Sequence, residues 1–171
     1  MKAKNVHVVN NMGKKISWII IGVLSVLVIG AMFMFGLKKE KLTIRSLHFT
    51  YTSGYAMYAY TTYDIYLEDN EYYVTIKPYG VSEEESQTVK LDTKTINKLE
   101  KVLNEYDVSK WNNFHKSDKN VLDGDSFSFS MNTNTGKYIS ASGYMRWPKN
   151  YAEVKSALND ILGSLYEQKD E

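Results

Sequence analysis

"FSFSMNTNTGKYISASGY" (Phe127–Tyr144) is the stretch that decides the fold. Phe127, Phe129 and Met131 alternate with Ser128 and Ser130, so a strand here carries apolar side chains on one face and hydroxyls on the other. "NTNTGK" (Asn132–Lys137) turns the chain, and "YISASGY" (Tyr138–Tyr144) brings it back. Strands joined by a short turn pair antiparallel, and an antiparallel sheet can leave one face to helices and the other to water.

The flanks on either side supply the helices. In "DTKTINKLEKVLNEY" (Asp92–Tyr106) the period changes: Ile96, Leu99, Val102, Leu103 and Tyr106 recur at helical spacing, and Asp92 or Thr93 can cap the start. Beyond the hairpin, "RWPK" (Arg146–Lys149) breaks the strand. Asn150 then caps a last helix, with Glu153 placed as in a capping box and Val154, Leu158, Ile161, Leu162 and Leu165 as its apolar stripe. Between the first helix and the hairpin, Trp111 and Phe114 fall in an irregular stretch, and "DGDS" (Asp123–Ser126) reads as a turn.

Four more strands are read upstream. They are "LTIRSLHFTY" (Leu42–Tyr51), "YAMYAYTTYDIYLE" (Tyr55–Glu68), "YYVTIKPY" (Tyr72–Tyr79) and a short "QTVKL" (Gln87–Leu91). "EDNE" (Glu68–Glu71) is a hairpin turn, and Pro78 ends the third strand or puts it at an edge. The predicted fold is α+β: an antiparallel sheet of about five to six strands, ordered β-β-β-(β)-α-β-β-α, with two amphipathic helices on one face. Leu47, Ile65, Val74, Ile76, Leu99, Leu103, Phe127, Phe129, Ile139, Leu158 and Leu162 are its predicted core.

Ahead of this domain, residues 16–37 form an uncharged run of 22 between lysine pairs. As a helix it reaches roughly 33 Å, about the thickness of a bilayer's hydrocarbon core. No small-x-small cleavage triplet follows it. A cut after Gly30 is the nearest alternative and would leave "AMFMFG" on the mature chain, so the run reads as a signal anchor that is retained. Lysines and arginine flank it four to a side, which ties the positive-inside count. The composition of the domain, rich in Tyr, Ser, Thr and Asn, favours the outside. The expected organisation is a basic cytoplasmic tail (1–15), a transmembrane helix (16–37), a juxtamembrane linker (38–41), an extracytoplasmic domain (42–167) and a polar tail (168–171). A cleaved, secreted chain and a cytoplasm-facing domain are the alternatives.

From Leu42 onward 14 Lys and Arg stand against 19 Asp and Glu, a net of −5. A mildly acidic domain lacks the phosphate-binding charge of a nucleic-acid partner. The absence of cysteine removes disulfides, thiolate metal sites and a lipidated Cys. No pattern asks for a metal or a cofactor. "HKSDKNVLDGDS" (His115–Ser126) places Asp118 and Asn120 as in a calcium loop, but Val121 and Leu122 interrupt it and no Glu closes it. Neither G-x-S-x-G nor H-E-x-x-H occurs. His48 reads as a hydrogen-bonded strand residue. His115 with the nearby Asp118, Asp123 and Asp125 is the catalytic alternative, a hydrolase.

Binding is the leading expectation. Nine of the 14 tyrosines lie between Tyr51 and Tyr79, and aromatic faces make low-entropy contact surfaces. The candidate ligand-binding residues are Tyr58 and Tyr60 on the Tyr-rich strand, with Tyr144, Arg146 and Trp147 around the Pro148 turn. The competing reading makes the tyrosines ordinary half-buried strand residues and Trp147 a plug at the end of the sheet. The expected partners are an envelope protein or a cell-wall glycan, besides the membrane itself through residues 16–37.

Val108 to Leu165 also resembles a pattern: a Trp turn (Trp111), D-G (Asp123–Gly124), an alternating strand, a Gly turn, S-G (Ser142–Gly143), an aromatic-Pro pair (Trp147–Pro148) and a final amphipathic helix. It is similar to small secreted, lipoprotein-type or membrane-anchored proteins of Gram-positive anaerobes. That resemblance implies a compact extracytoplasmic α+β domain and carries over no site residues. The lipobox Cys of the lipoprotein members is missing here, so the anchor falls to the helix.

Overall fold

The computed structural model describes residues 41–52 and 60–166. The basic tail, the apolar run 16–37, Tyr58, the first part of the predicted second strand and the C-terminal tail lie outside the described residues. Among the described residues no helix is long and apolar enough to cross a membrane.

The elements are β1 (Ile44–Thr52), β2 (Tyr60–Glu68), β3 (Glu71–Lys77), β4 (Gln87–Leu91), α1 (Thr93–Glu105), β5 (Phe114–Ser117), β6 (Ser126–Thr133), β7 (Tyr138–Tyr144) and α2 (Tyr151–Leu162). The class is α+β, as expected, but the sheet has seven strands, not five or six. It is ordered β4-β3-β2-β1-β6-β7-β5, and it is mixed: β5 runs parallel to β7 while every other pair is antiparallel. The additional strand is the "FHKS" stretch read as irregular. Four residues at a sheet edge, three of them exposed, carry no apolar alternation by which to see them.

Local chemistry explains the turns. Asp69 and Asn70 both have positive φ, 48° and 67°, and join β2 to β3 through the two-residue turn that matches strand twist. Asp92 caps α1, its carboxylate accepting from Thr95 N at 2.7 Å. The capping box predicted at Asn150 does not form. Asn150 has a left-handed backbone and makes no side-chain cap bond; its Nδ2 instead donates to Tyr106 O across to the end of α1, at 3.1 Å.

One face of the sheet is the core. All eleven predicted core residues are buried, joined by Ile44, Phe49, Met131 and Trp111. A bulge between Ile44 and Ser46 breaks the alternation of β1, so that Ile44 and Leu47 both face inward while Arg45 is exposed. Both helices cover this face. Tyr51 and Tyr63 reach Asn159 on α2, and Glu100 on α1 accepts from Ile44 N at 2.9 Å. Asn104 adds a two-way bond to the backbone of Leu42, donating to its carbonyl and accepting from its N–H. Side chains of α1 therefore supply the hydrogen bonds that a neighbouring strand would give the start of β1. The opposite face carries Thr, Ser, Tyr, His and Asp side chains open to water.

Candidate functional site

The Trp147 corner is assembled from the end of β7, the turn into α2 and the segment after α1. β7 ends beside Gly143, where a Cβ would collide with the Arg146 carbonyl and the Phe127 ring. Only glycine lets the chain fold back so closely there. Met145 turns the chain with φ 52°, and its N–H donates to Asp125 O at 2.9 Å. Trp147 is then laid flat on Tyr151, with centroids 4.6 Å apart and planes at 18°, and it leans on Phe127 at 5.7 Å. Trp111 lies beneath, 1% exposed, its Nε1 donating to Lys149 O at 3.0 Å.

A cavity of about 170 Å³ opens beside this stack. Tyr106, Trp111, Phe114 and Trp147 wall it, and Asp107, Lys110 and the Pro148–Asn150 turn form its rim. Lys110 Nζ and Asp107 Oδ2 pair at 3.0 Å. The volume is below the range of drug-sized sites and suits a single ring or side chain. Trp147, 39% exposed, offers part of one aromatic surface to solvent. The arrangement can grip a flat or apolar group against aromatic walls.

The other predicted residues are placed as follows. Tyr60 and Tyr144 stand on the outer face in one transverse row: Tyr60 pairs with Thr52, Thr52 Oγ1 meets Ser126 Oγ at 3.3 Å, and Ser126 pairs with Tyr144. Tyr60 OH donates to Glu83 at 2.9 Å, and Lys77 Nζ lies 3.9 Å over its ring. Tyr144 OH donates to Leu122 O at 2.8 Å. Arg146 is paired with Asp118 at 2.8 Å, tying the loop after β5 to the end of β7. The four described residues thus do not form one site. Trp147 lines the corner cavity, Tyr60 and Tyr144 share a row on the outer face, Arg146 secures a loop, and Tyr58 lies outside the described residues.

His115 Nδ1 meets Ser142 Oγ at 2.8 Å on the outer face. Asp118 accepts from Asn120 N as well as holding Arg146. His48 has the more telling surroundings. Its Nδ1 lies 2.5 Å from Asp64 Oδ1, and Ser130 stands opposite it on β6. Asp64, His48 and Ser130 therefore occupy one row across three strands. From Leu47 to Tyr51, β1 is paired with a strand on both sides. The hydrogen bond that His48 donates to the Asp64 carboxylate raises its pKa above the ordinary 6.5, against a smaller opposing effect of burial. The row favours a protonated imidazole.

Sequence reasoning missed a further cluster. Tyr51, Tyr63, Asn159 and Tyr166 line a cleft at the far end of the sheet. Their positions span more than a hundred residues of sequence, and no local pattern joins them. No protein family matches the chain, and no curated protein is similar to it in sequence.

Proposed function

We propose that the chain is a single-pass membrane protein whose domain is a non-catalytic binding module outside the cell, tethered through residues 16–37. The ligand is a cell-wall glycan or another envelope protein. The observation that carries the binding reading is the half-exposed Trp147, held flat on Tyr151 beside an aromatic-walled cavity. A rigid ring presented at low entropic cost is what recognition surfaces use. The uncharged run of residues 16–37 supports the tether, and the Cys-free, Tyr- and Ser-rich domain supports its placement outside.

Titration of the full chain in detergent against wall-glycan fragments and purified envelope proteins tests the site. Saturable binding is expected, weakened about tenfold or more in Trp147→Ala. Binding that ignores Trp147→Ala and Tyr60→Ala would count against it. The topology has its own test: with a tag after Glu171, external protease removes the tag from intact cells. Protection until lysis would place the domain in the cytoplasm and end the envelope reading.

A further inference from the structure

A second site lies where the far end of the sheet meets the last turns of α2. The cleft there measures about 420 Å³, within the range of small-molecule sites. Tyr51, Thr61, Tyr63, Tyr166 and Asn159 supply its polar groups, Ile76 and Pro78 its apolar wall, and no charged side chain lines it among the described residues.

Asn159 is held in one orientation. Tyr51 OH and Tyr63 OH both donate to its Oδ1, at 2.9 and 3.1 Å. With Oδ1 placed between the two phenols, the NH2 group is turned away from the tyrosines. No described protein group accepts from that NH2 group. Each phenol oxygen, having donated, keeps lone-pair capacity to accept a further bond. Burial pushes the Tyr63 hydroxyl well above its ordinary value, so it remains a donor across the physiological range. Lys155 Nζ, 4.1 Å over the Tyr51 ring, helps to fix that ring.

We infer that this cleft binds a neutral sugar residue: one hydroxyl accepts from Asn159 Nδ2, its neighbours donate to the phenol oxygens of Tyr51 and Tyr63, and the C–H face of the ring rests on Pro78. Ligand chemistry selects the class. Among the described residues no charged side chain lines the cleft, and the Lys155 ammonium beside it is engaged on the Tyr51 ring, so a charged ligand would find no direct ion-pair partner in the lining. A purely apolar one would bury the Asn159 amide without a partner. A sugar is neutral, its hydroxyls both donate and accept, and its ring has apolar faces. This extends the binding reading given above, but it stands on different residues from the Trp147 corner.

Isothermal titration of the full chain in detergent with neutral chito- and cello-oligosaccharides tests it. Asn159→Asp keeps the acceptor for both tyrosines and removes the NH2 donor; Tyr63→Phe keeps the ring and removes the hydroxyl. Saturable binding of at least one sugar series is expected, about tenfold weaker in Asn159→Asp and several-fold weaker in Tyr63→Phe. Melting temperatures are measured alongside, and where Asn159→Asp alone lowers its own, Tyr63→Phe decides. Absence of saturable binding to both series overturns the proposal, as does binding indifferent to the deciding variant. Binding lost in Trp147→Ala but kept in Asn159→Asp and Tyr63→Phe overturns this site while supporting the corner.

Discussion

Phe129 and Ser130 are neighbours in sequence and belong to different environments. Phe129 is fully buried, 5.3 Å from the Trp111 ring and 6.3 Å from Phe49. Ser130, one residue on, faces the water beside His48. The same contrast holds along β1, where Leu47 and Phe49 point in and His48 and Thr50 point out. The inner face stabilises the fold by shape and area, so each residue there is hard to replace. The outer face is a surface of small hydroxyls and local polar pairs, and single changes there are tolerated. The difference teaches where a binding site can sit: function is left to the rims of the inner face, where its aromatic rings come within reach of solvent.

The largest expected effect tests that contrast directly. Phe129→Ala removes a ring from the aromatic cluster and leaves a cavity that Trp111 and Phe49 cannot close, a loss of about 3–5 kcal/mol in urea or thermal unfolding. Ser130→Ala is expected to stay within about 0.5 kcal/mol. Similar values for the two would mean that the faces are not distinguished as described.

Next come changes that strain the rim between the faces. Gly143→Ala drives a methyl into the Arg146 carbonyl and the Phe127 ring, and is expected to destabilise by about 1–3 kcal/mol. It should also disturb the Trp147–Tyr151 stack, visible as a change in near-UV circular dichroism. A destabilisation without that spectral change would separate the corner from the strand end. Glu100→Ala leaves the buried Ile44 N–H without its acceptor, for a loss of about 1–3 kcal/mol. Glu100→Gln keeps an acceptor oxygen and should recover most of it; equal losses in the two would show that the bond to Ile44 contributes little.

The same division explains what the sequence displayed. Alternation and helical period are properties of the inner face, and they marked β6, β7, α1 and α2 together with the eleven core residues. β5 escaped because its place depends on β7, twenty-odd residues later: a parallel edge strand with one half-buried residue shows no period of its own. Asn150 was read as a cap from its residue type, yet the turn after Pro148 gives it a left-handed backbone and sends its side chain to Tyr106. At the candidate site, Trp147 was legible because it stands beside Pro148 at a break. The walls contributed by Trp111 and Phe114 were not, since they arrive from another segment. The Asn159 cleft joins Tyr51 to a residue 108 positions away, and only folding brings them together.

The smallest expected effect lies at the centre of the outer face and appears only as pH dependence. His48 is half-exposed, and its imidazole faces Asp64 on β2 and Ser130 on β6, with Ser46 and Thr50 flanking it on β1. Thr62 and Tyr66 flank Asp64, and Ser128 and Asn132 flank Ser130, so Asp64 is the one charged partner in the group. Its hydrogen bond raises the folded pKa of His48 above 6.5. The folded state therefore binds the proton more tightly than the unfolded chain does. The resulting stabilisation is complete below pH 6.5 and fades as the pH rises through the higher, folded value. Solvent screens an exposed pair, which limits the gain to about half a kcal/mol. Unfolding free energies of the wild type measured across this range, less those of Asp64→Asn, should show a small advantage on the acid side that is lost towards alkaline pH. A difference of opposite slope would mean that Asp64 does not raise the folded pKa of His48. A flat difference would mean that the pair is as weak in the folded sheet as it is in water, and that the outer face adds nothing to the stability set by the inner one.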